Sequence, residues 1–169
     1  TPADAKQQIY EIKYSLLSTI IFTLVWWGLY FLWAAGWTQI GDWQVPQGTQ
    51  WGWLILQSGV IIFLHDTYFY WTHRLLHQRA WFKAIHFVHH ISKKTSPWSS
   101  FSFHPIESVI NALILPILFM VVPVHPYVVL WHLTLMTVTG VTNHLGIEIM
   151  PKLFFTWQGH RHWVTAINH

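Results

Sequence analysis

The sequence predicts an all-α integral-membrane protein of about four transmembrane helices with a histidine-rich cap on the cytoplasmic side. Three observations lead there. Charged residues are 9% of the 169-residue chain and hydrophobic ones 53%, against roughly 25% charged in soluble domains. Apolar runs of bilayer length recur along the chain. Five histidines crowd into residues 71–90, WTHRLLHQRAWFKAIHFVHH.

Spanning the hydrocarbon core as a helix takes about 20 apolar residues. Residues 14–35 meet this without a charge, and residues 51–64 continue apolar before running on through HDTYFYW. Ser108 to Val122, which contains Pro116, and Tyr127 to Thr142 are shorter runs joined by PVHP; together they predict a helical hairpin. The whole chain reads as one membrane domain. Residues 1–13 form an N-terminal cytoplasmic segment and 14–72 the first two membrane helices. The histidine-rich cytoplasmic region follows at 73–107, the hairpin at 108–142, and the start of a third histidine region at 143–169.

Charge sets the orientation. Lys6 and Lys13 precede the first span, Arg74, Arg79, Lys83, Lys93 and Lys94 follow the second, and Lys152 and Arg161 follow the fourth. Cytoplasmic loops collect Lys and Arg, so both termini and the histidines are expected in the cytoplasm. Trp26, Trp27, Trp37, Trp43, Trp51 and Trp53 sit where interfacial anchors belong.

Composition also excludes chemistries. With no cysteine, disulfides, Fe–S clusters and thiol catalysis are out. The net charge of +3 is spread along the chain and leaves no nucleic-acid footprint. No P-loop, dinucleotide fingerprint or Ser–His–Asp pattern competes.

At about 100° per residue, His73 and His77 each fall within about 20° of Asp66 around a helix. His86, His89 and His90 are spaced i, i+3, i+4, again one helical face. Two such faces can close on a common centre, and burying so many imidazoles without partners would be costly. Histidine is the commonest metal ligand, so the pattern points to metal binding. Asp66 suits a carboxylate that orients a ligand imidazole through its other N–H. His144 and Glu148, at i, i+4, are further candidates, as are His162 and His169, at i, i+7; His160 lies off that face. His65 reads as interfacial, His104 as a loop-to-helix junction beside Glu107, and His125 and His132 as lying far from the cluster. Zinc, iron and copper all remain open. Six to eight candidate ligands suffice for two metals, and two redox metals at a membrane surface suggest O₂ activation against a lipid C–H bond.

These residues also carry a resemblance. DTYFYWTHRLLH (66–77) followed by HFVHH (86–90), with FHPIE (103–107) and NHLGIE (143–148), resembles the fatty acid hydroxylase/sterol desaturase superfamily of membrane di-iron oxygenases. That family carries HxxxH, HxxHH and a later HxxHH box. The resemblance implies iron ligation by His73, His77, His86, His89, His90 and His144. It implies two iron ions, O₂ as co-substrate and a lipid substrate that is hydroxylated, desaturated or demethylated. Electrons would come from a separate donor, a reductase with cytochrome b5 or ferredoxin. WVTAINH resembles the lead-in to the last box, of which His169 would be the first histidine, so the chain is expected to be a piece of a longer protein. The compact layout leans to the bacterial inner membrane over the endoplasmic reticulum. Two rivals stand beside this reading. One is a non-catalytic membrane subunit with the family fold, held in a larger complex. The other is a haem protein or a zinc hydrolase with Glu148 as general base.

Overall fold

The structure, a computed structural model, describes residues 2–41, 50–92 and 96–144. Among these the chain is helical apart from one isolated parallel bridge, Ile40 to Val124. The helices are α1 (Pro2–Ala34), α2 (Gln50–Leu76), α3 (Arg79–Trp81), α4 (Phe87–His90), α5 (Pro105–Val121) and α6 (Pro126–Asn143). A π-helical turn, Phe82–His86, joins α3 to α4, and a 3-10 turn, Pro97–Phe101, precedes α5.

α1 begins well before the expected span. Its 33 residues make a rod of about 50 Å at 1.5 Å per residue, longer than the ~30 Å hydrocarbon core. The surplus N-terminal turns pack on the 3-10 turn. Ser15 Oγ donates to the Trp98 carbonyl at 2.6 Å, and the buried Glu11 accepts from Ser96 Oγ at 2.5 Å and Gln7 Nε2 at 2.7 Å. Further along, Ser18 and Ser108 share a buried hydroxyl bond of 2.8 Å between α1 and α5. α1 stops at Gly36, whose φ of 77° is open to glycine at little cost. The Gly36 N–H reaches the Trp33 carbonyl and the Trp37 N–H the Leu32 carbonyl, both at 2.9 Å, which is the Schellman arrangement.

α5 and α6 are joined at the expected PVHP turn. His104 and His125 each accept a backbone N–H two residues on, from Ile106 and Tyr127, and a proline follows each as the first helical residue. That combination starts a helix because proline's missing N–H would have no partner there. The core lies where α1, α2, α5 and α6 meet: Leu29, Ile61, Ile114, Leu115, Leu118, Phe119, Val124, Val128 and Val129. Tyr68 of α2 donates to the Ile110 carbonyl of α5 at 2.9 Å.

The described chain is built of helices as expected, and one of the four expected spans stands out by length and composition. Among the described residues one helix, Asp4–Ala34, is long and apolar enough by itself to cross a bilayer, and only 17% of its apolar window is buried. α5 is apolar but has 17 residues, about 26 Å, and α2 interrupts its apolar run with Gln57, His65 and Asp66. Length and composition therefore mark one clear span.

A histidine cluster at the candidate metal centre

α2 carries His73 in its last turn, and His77 follows directly after its end, one turn further on. The chain reverses at Gln78, whose extended backbone (φ −65°, ψ 144°) starts α3. The π-helical turn then widens the backbone, a device often found at functional sites, and delivers His86 opposite α2.

The outcome is a convergence of imidazoles. His73 and His77 bring their Nε2 atoms to 3.0 Å, His77 and His86 to 3.3 Å, and His86 and His90 to 3.1 Å. One nitrogen from each of His73, His77 and His86 lies within 4.8 Å of the others. Ligand nitrogens bound at about 2.1 Å stand about 3 Å apart along an edge of a coordination shell, so this spacing suits a central cation. The His89 ring lies 5.7 Å from that of His86, 5.6 Å from that of His90 and 5.8 Å from that of His144, and its Nδ1 is buried without a partner. His144 directs Nδ1 to the Gly140 carbonyl at 2.9 Å, leaving Nε2 available. Phe69, Phe82 and Phe103 stack on His73, His77 and His89 and wall the cluster with apolar surface.

Burial makes the imidazoles poor bases. It is the main cause that pushes His73 and His89 down to about 3 and His90 down to about 4, with the neighbouring imidazoles adding to it. His77 is lowered in the same way. Neutral imidazole is the form that binds metal. The donor set, at least four neutral imidazole nitrogens with no thiolate, fits iron, zinc or copper.

One buried carboxylate completes the arrangement. Glu107, 1% exposed, sits in the first turn of α5 with Oε1 2.7 Å from His86 Nδ1. With the proton on Nδ1, His86 donates to Glu107 and points its Nε2 lone pair into the cluster. Burial raises the Glu107 carboxyl above its usual range, and its bond to His86 pulls the other way. The sequence assigned this orienting role to Asp66. The structure instead leaves the Asp66 side chain 67% exposed, 3.7 Å from His65 Nδ1. Angular coincidence misled here: seven residues separate Asp66 from His73, about 10 Å along the axis. Glu107 was legible only as part of FHPIE, where an acidic residue in a first helical turn already has an ordinary explanation. Glu148, His160, His162 and His169 lie outside the described residues.

Helices thus bring imidazoles together beside a buried carboxylate, a donor set of the kind that can hold a metal ion. The fatty acid hydroxylase family profile matches residues 58–168, and the chain belongs to that family. It is similar to lathosterol oxidase of Rattus norvegicus, 38% identical over 105 residues, which cover 61% of this chain and 35% of that protein. The Mus musculus lathosterol oxidase is 36% identical over 104 residues, 60% of this chain and 35% of the relative. The Delta(7)-sterol 5(6)-desaturase of Candida glabrata is 31% identical over 93 residues, 55% and 26% of the two chains. The aligned part thus spans about a third of the length of the lathosterol oxidases. No solved structure matches the chain. These relatives are eukaryotic and lend no support to the bacterial inner membrane.

Proposed function

We propose that the chain is the metal-bearing core of an O₂-dependent lipid oxygenase, a hydroxylase or desaturase, acting on a sterol or related lipid at the cytoplasmic membrane face. The names of its relatives support an oxidation of sterols. The single observation that carries the reading is the convergence of His73, His77, His86 and His90 with Glu107 behind His86.

His73, His77, His86 and His90 would hold one iron; His89 and His144 would begin a second site, completed by Glu148, His169 or other residues after 144. Bound iron supplies the one-electron chemistry with O₂ that attack on an unactivated C–H bond requires. The protein's own part is positional. Glu107 fixes the tautomer and direction of His86. Low imidazole basicity keeps protons from competing for the ligand nitrogens. The phenylalanine rings stacked on His73, His77 and His89 would present apolar surface to a lipid tail. A separate reductase with cytochrome b5 or ferredoxin would supply electrons.

Metal analysis of the purified full-length protein tests this. About two irons per chain, and O₂-dependent oxidation of an added sterol such as lathosterol, are expected. Less than one transition metal per chain overturns the reading. Full metal loading with no turnover of any lipid, and co-purification with fixed partners, points to the non-catalytic membrane subunit.

A further inference from the structure

A second pair of histidines lies away from the cluster. His65 of α2 and His132 of α6 meet edge to face, with ring centroids 5.0 Å apart and planes at 81°. His132 is 1% exposed, yet neither of its ring nitrogens has a hydrogen-bond partner, and His65 Nδ1 is also buried and unpartnered. The Asp66 carboxylate stands 3.7 Å from that nitrogen, within ion-pair reach but beyond an ordinary hydrogen bond. On the His132 side the helix is part of the core: Val128 and Val129 are buried in it and Leu133 packs against it, as does Leu64 beside His65 in sequence. Leaving polar atoms unpaired in such a place costs on the order of 1–3 kcal/mol each, which leucine or phenylalanine at either position would avoid. Ionisable groups inside a membrane bundle are by default functional, with a partner to be named.

The chemistry narrows the partner. A cation wants more donors than two imidazoles, and among the described residues the three-ligand group is His73, His77 and His86. A carboxylate ligand wants two donors and would meet the Asp66 carboxylate already standing beside His65. A hydroxyl fits: it has one hydrogen to give and lone pairs to receive, matching the one N–H and one lone pair of neutral imidazole. Position favours a hydroxyl on a lipid. His65, Phe69 and His73 follow one another at i, i+4, i+8 on α2, and the Phe69 ring stacks on that of His73 at 5.4 Å. Over those eight residues α2 rises about 12 Å and turns by about 80°, so the three positions spiral from the pair toward the cluster.

We propose that His65 and His132 form a hydroxyl-binding subsite that anchors a lipid alcohol while a carbon about 12 Å further along α2 meets the cluster. This deepens the oxygenase reading and rests on it for the role of the lipid as substrate; binding itself does not require turnover.

The test is nitrogen NMR of the full chain in phosphatidylcholine nanodiscs, with ¹⁵N-labelled histidine and zinc in place of iron to keep the spectra sharp. His132→Phe and His65→Phe assign the ring signals. Hexadecan-1-ol should shift the His132 and His65 ring nitrogens saturably, and hexadecane should not. His132→Asn, which keeps a polar side chain if the phenylalanine variant fails to fold, should weaken the response at His65. Equal response to both probes, or none to either, overturns the proposal. So does a spectrum that shows the two rings already bonded to each other or to a water that the alcohol does not displace. Failure to load metal with the alcohol response intact defeats the oxygenase reading alone; full metal loading and turnover without the response defeats the subsite alone.

Discussion

The Glu107–His86 bond is the residue-scale feature with the most leverage on the site. An orienting carboxylate behind a ligand imidazole typically controls metal affinity by 10–100-fold. Glu107→Gln keeps the size and an acceptor but removes the anion; metal affinity, measured by competition with a chelator, should fall by about that factor. Asp66→Asn, on an exposed side chain remote from the cluster, should leave it unchanged. The depressed imidazoles predict a pH profile. Their folded values of about 3 to 4 for His73, His89 and His90 lie below the ordinary ~6.5. The unfolded chain therefore binds more protons than the folded one between these limits. Stability should be flat above about pH 6.5 and fall as the pH is lowered toward 4, where folded histidines begin to protonate. Thermal unfolding of the metal-free protein between pH 8 and 4 checks this. A midpoint that rose on acidification would mean the imidazoles are not buried neutral.

At the scale of elements, α1 shows how one glycine differs from another. Gly36 holds φ at 77°, where a side chain costs about 1–2 kcal/mol, so Gly36→Ala should lower stability by about 1 kcal/mol. Gly28 lies inside α1, and a Cβ there meets nothing within 4 Å. Gly28→Ala should gain up to about 1 kcal/mol in helix propensity. Opposite signs in denaturant unfolding are the expected result. Phe119, fully buried where α5 meets α1 at Trp26, should cost about 3–5 kcal/mol on truncation to alanine. The hairpin was readable because PVHP breaks the apolar run and each proline announces a helix start. The π-helical turn at Phe82–His86 was not: nothing in FKAIH departs from an ordinary helical pattern, and the turn ends on His86, which meets His77 and Glu107.

Across the whole molecule, the two ends are chemically distinct. Glu11, Ser15 and Ser18 of α1 meet the segment 96–108 beside the cluster. The Gln39–Gly41 segment pairs with Val124 at the other end, Val124 N–H reaching the Gln39 carbonyl at 3.0 Å. Lys13, Arg74, Arg79 and Lys83 belong to the first end, which supports a cytoplasmic face there. The chain has no native cysteine, so single-cysteine labelling is clean. Lys13→Cys and Arg79→Cys should react with an impermeant maleimide from the cytoplasmic side, and Tyr127→Cys from the opposite one. Labelling of all three from one side would sink the two-sided arrangement.

Sequence alone determined that the chain is helical and apolar, where the hairpin turns, and which histidines gather: spacing and hydropathy are local properties, and HxxxH and HxxHH place imidazoles on single helical faces wherever those helices go. Only the tertiary structure decided which carboxylate serves the cluster, that His86 closes on His77, that His89 stands between His86 and His144, and that His65 finds His132. Each of those facts joins residues from different elements, across 21 positions for His86 and Glu107, and depends on distances along and between helices that a rotational pattern does not contain.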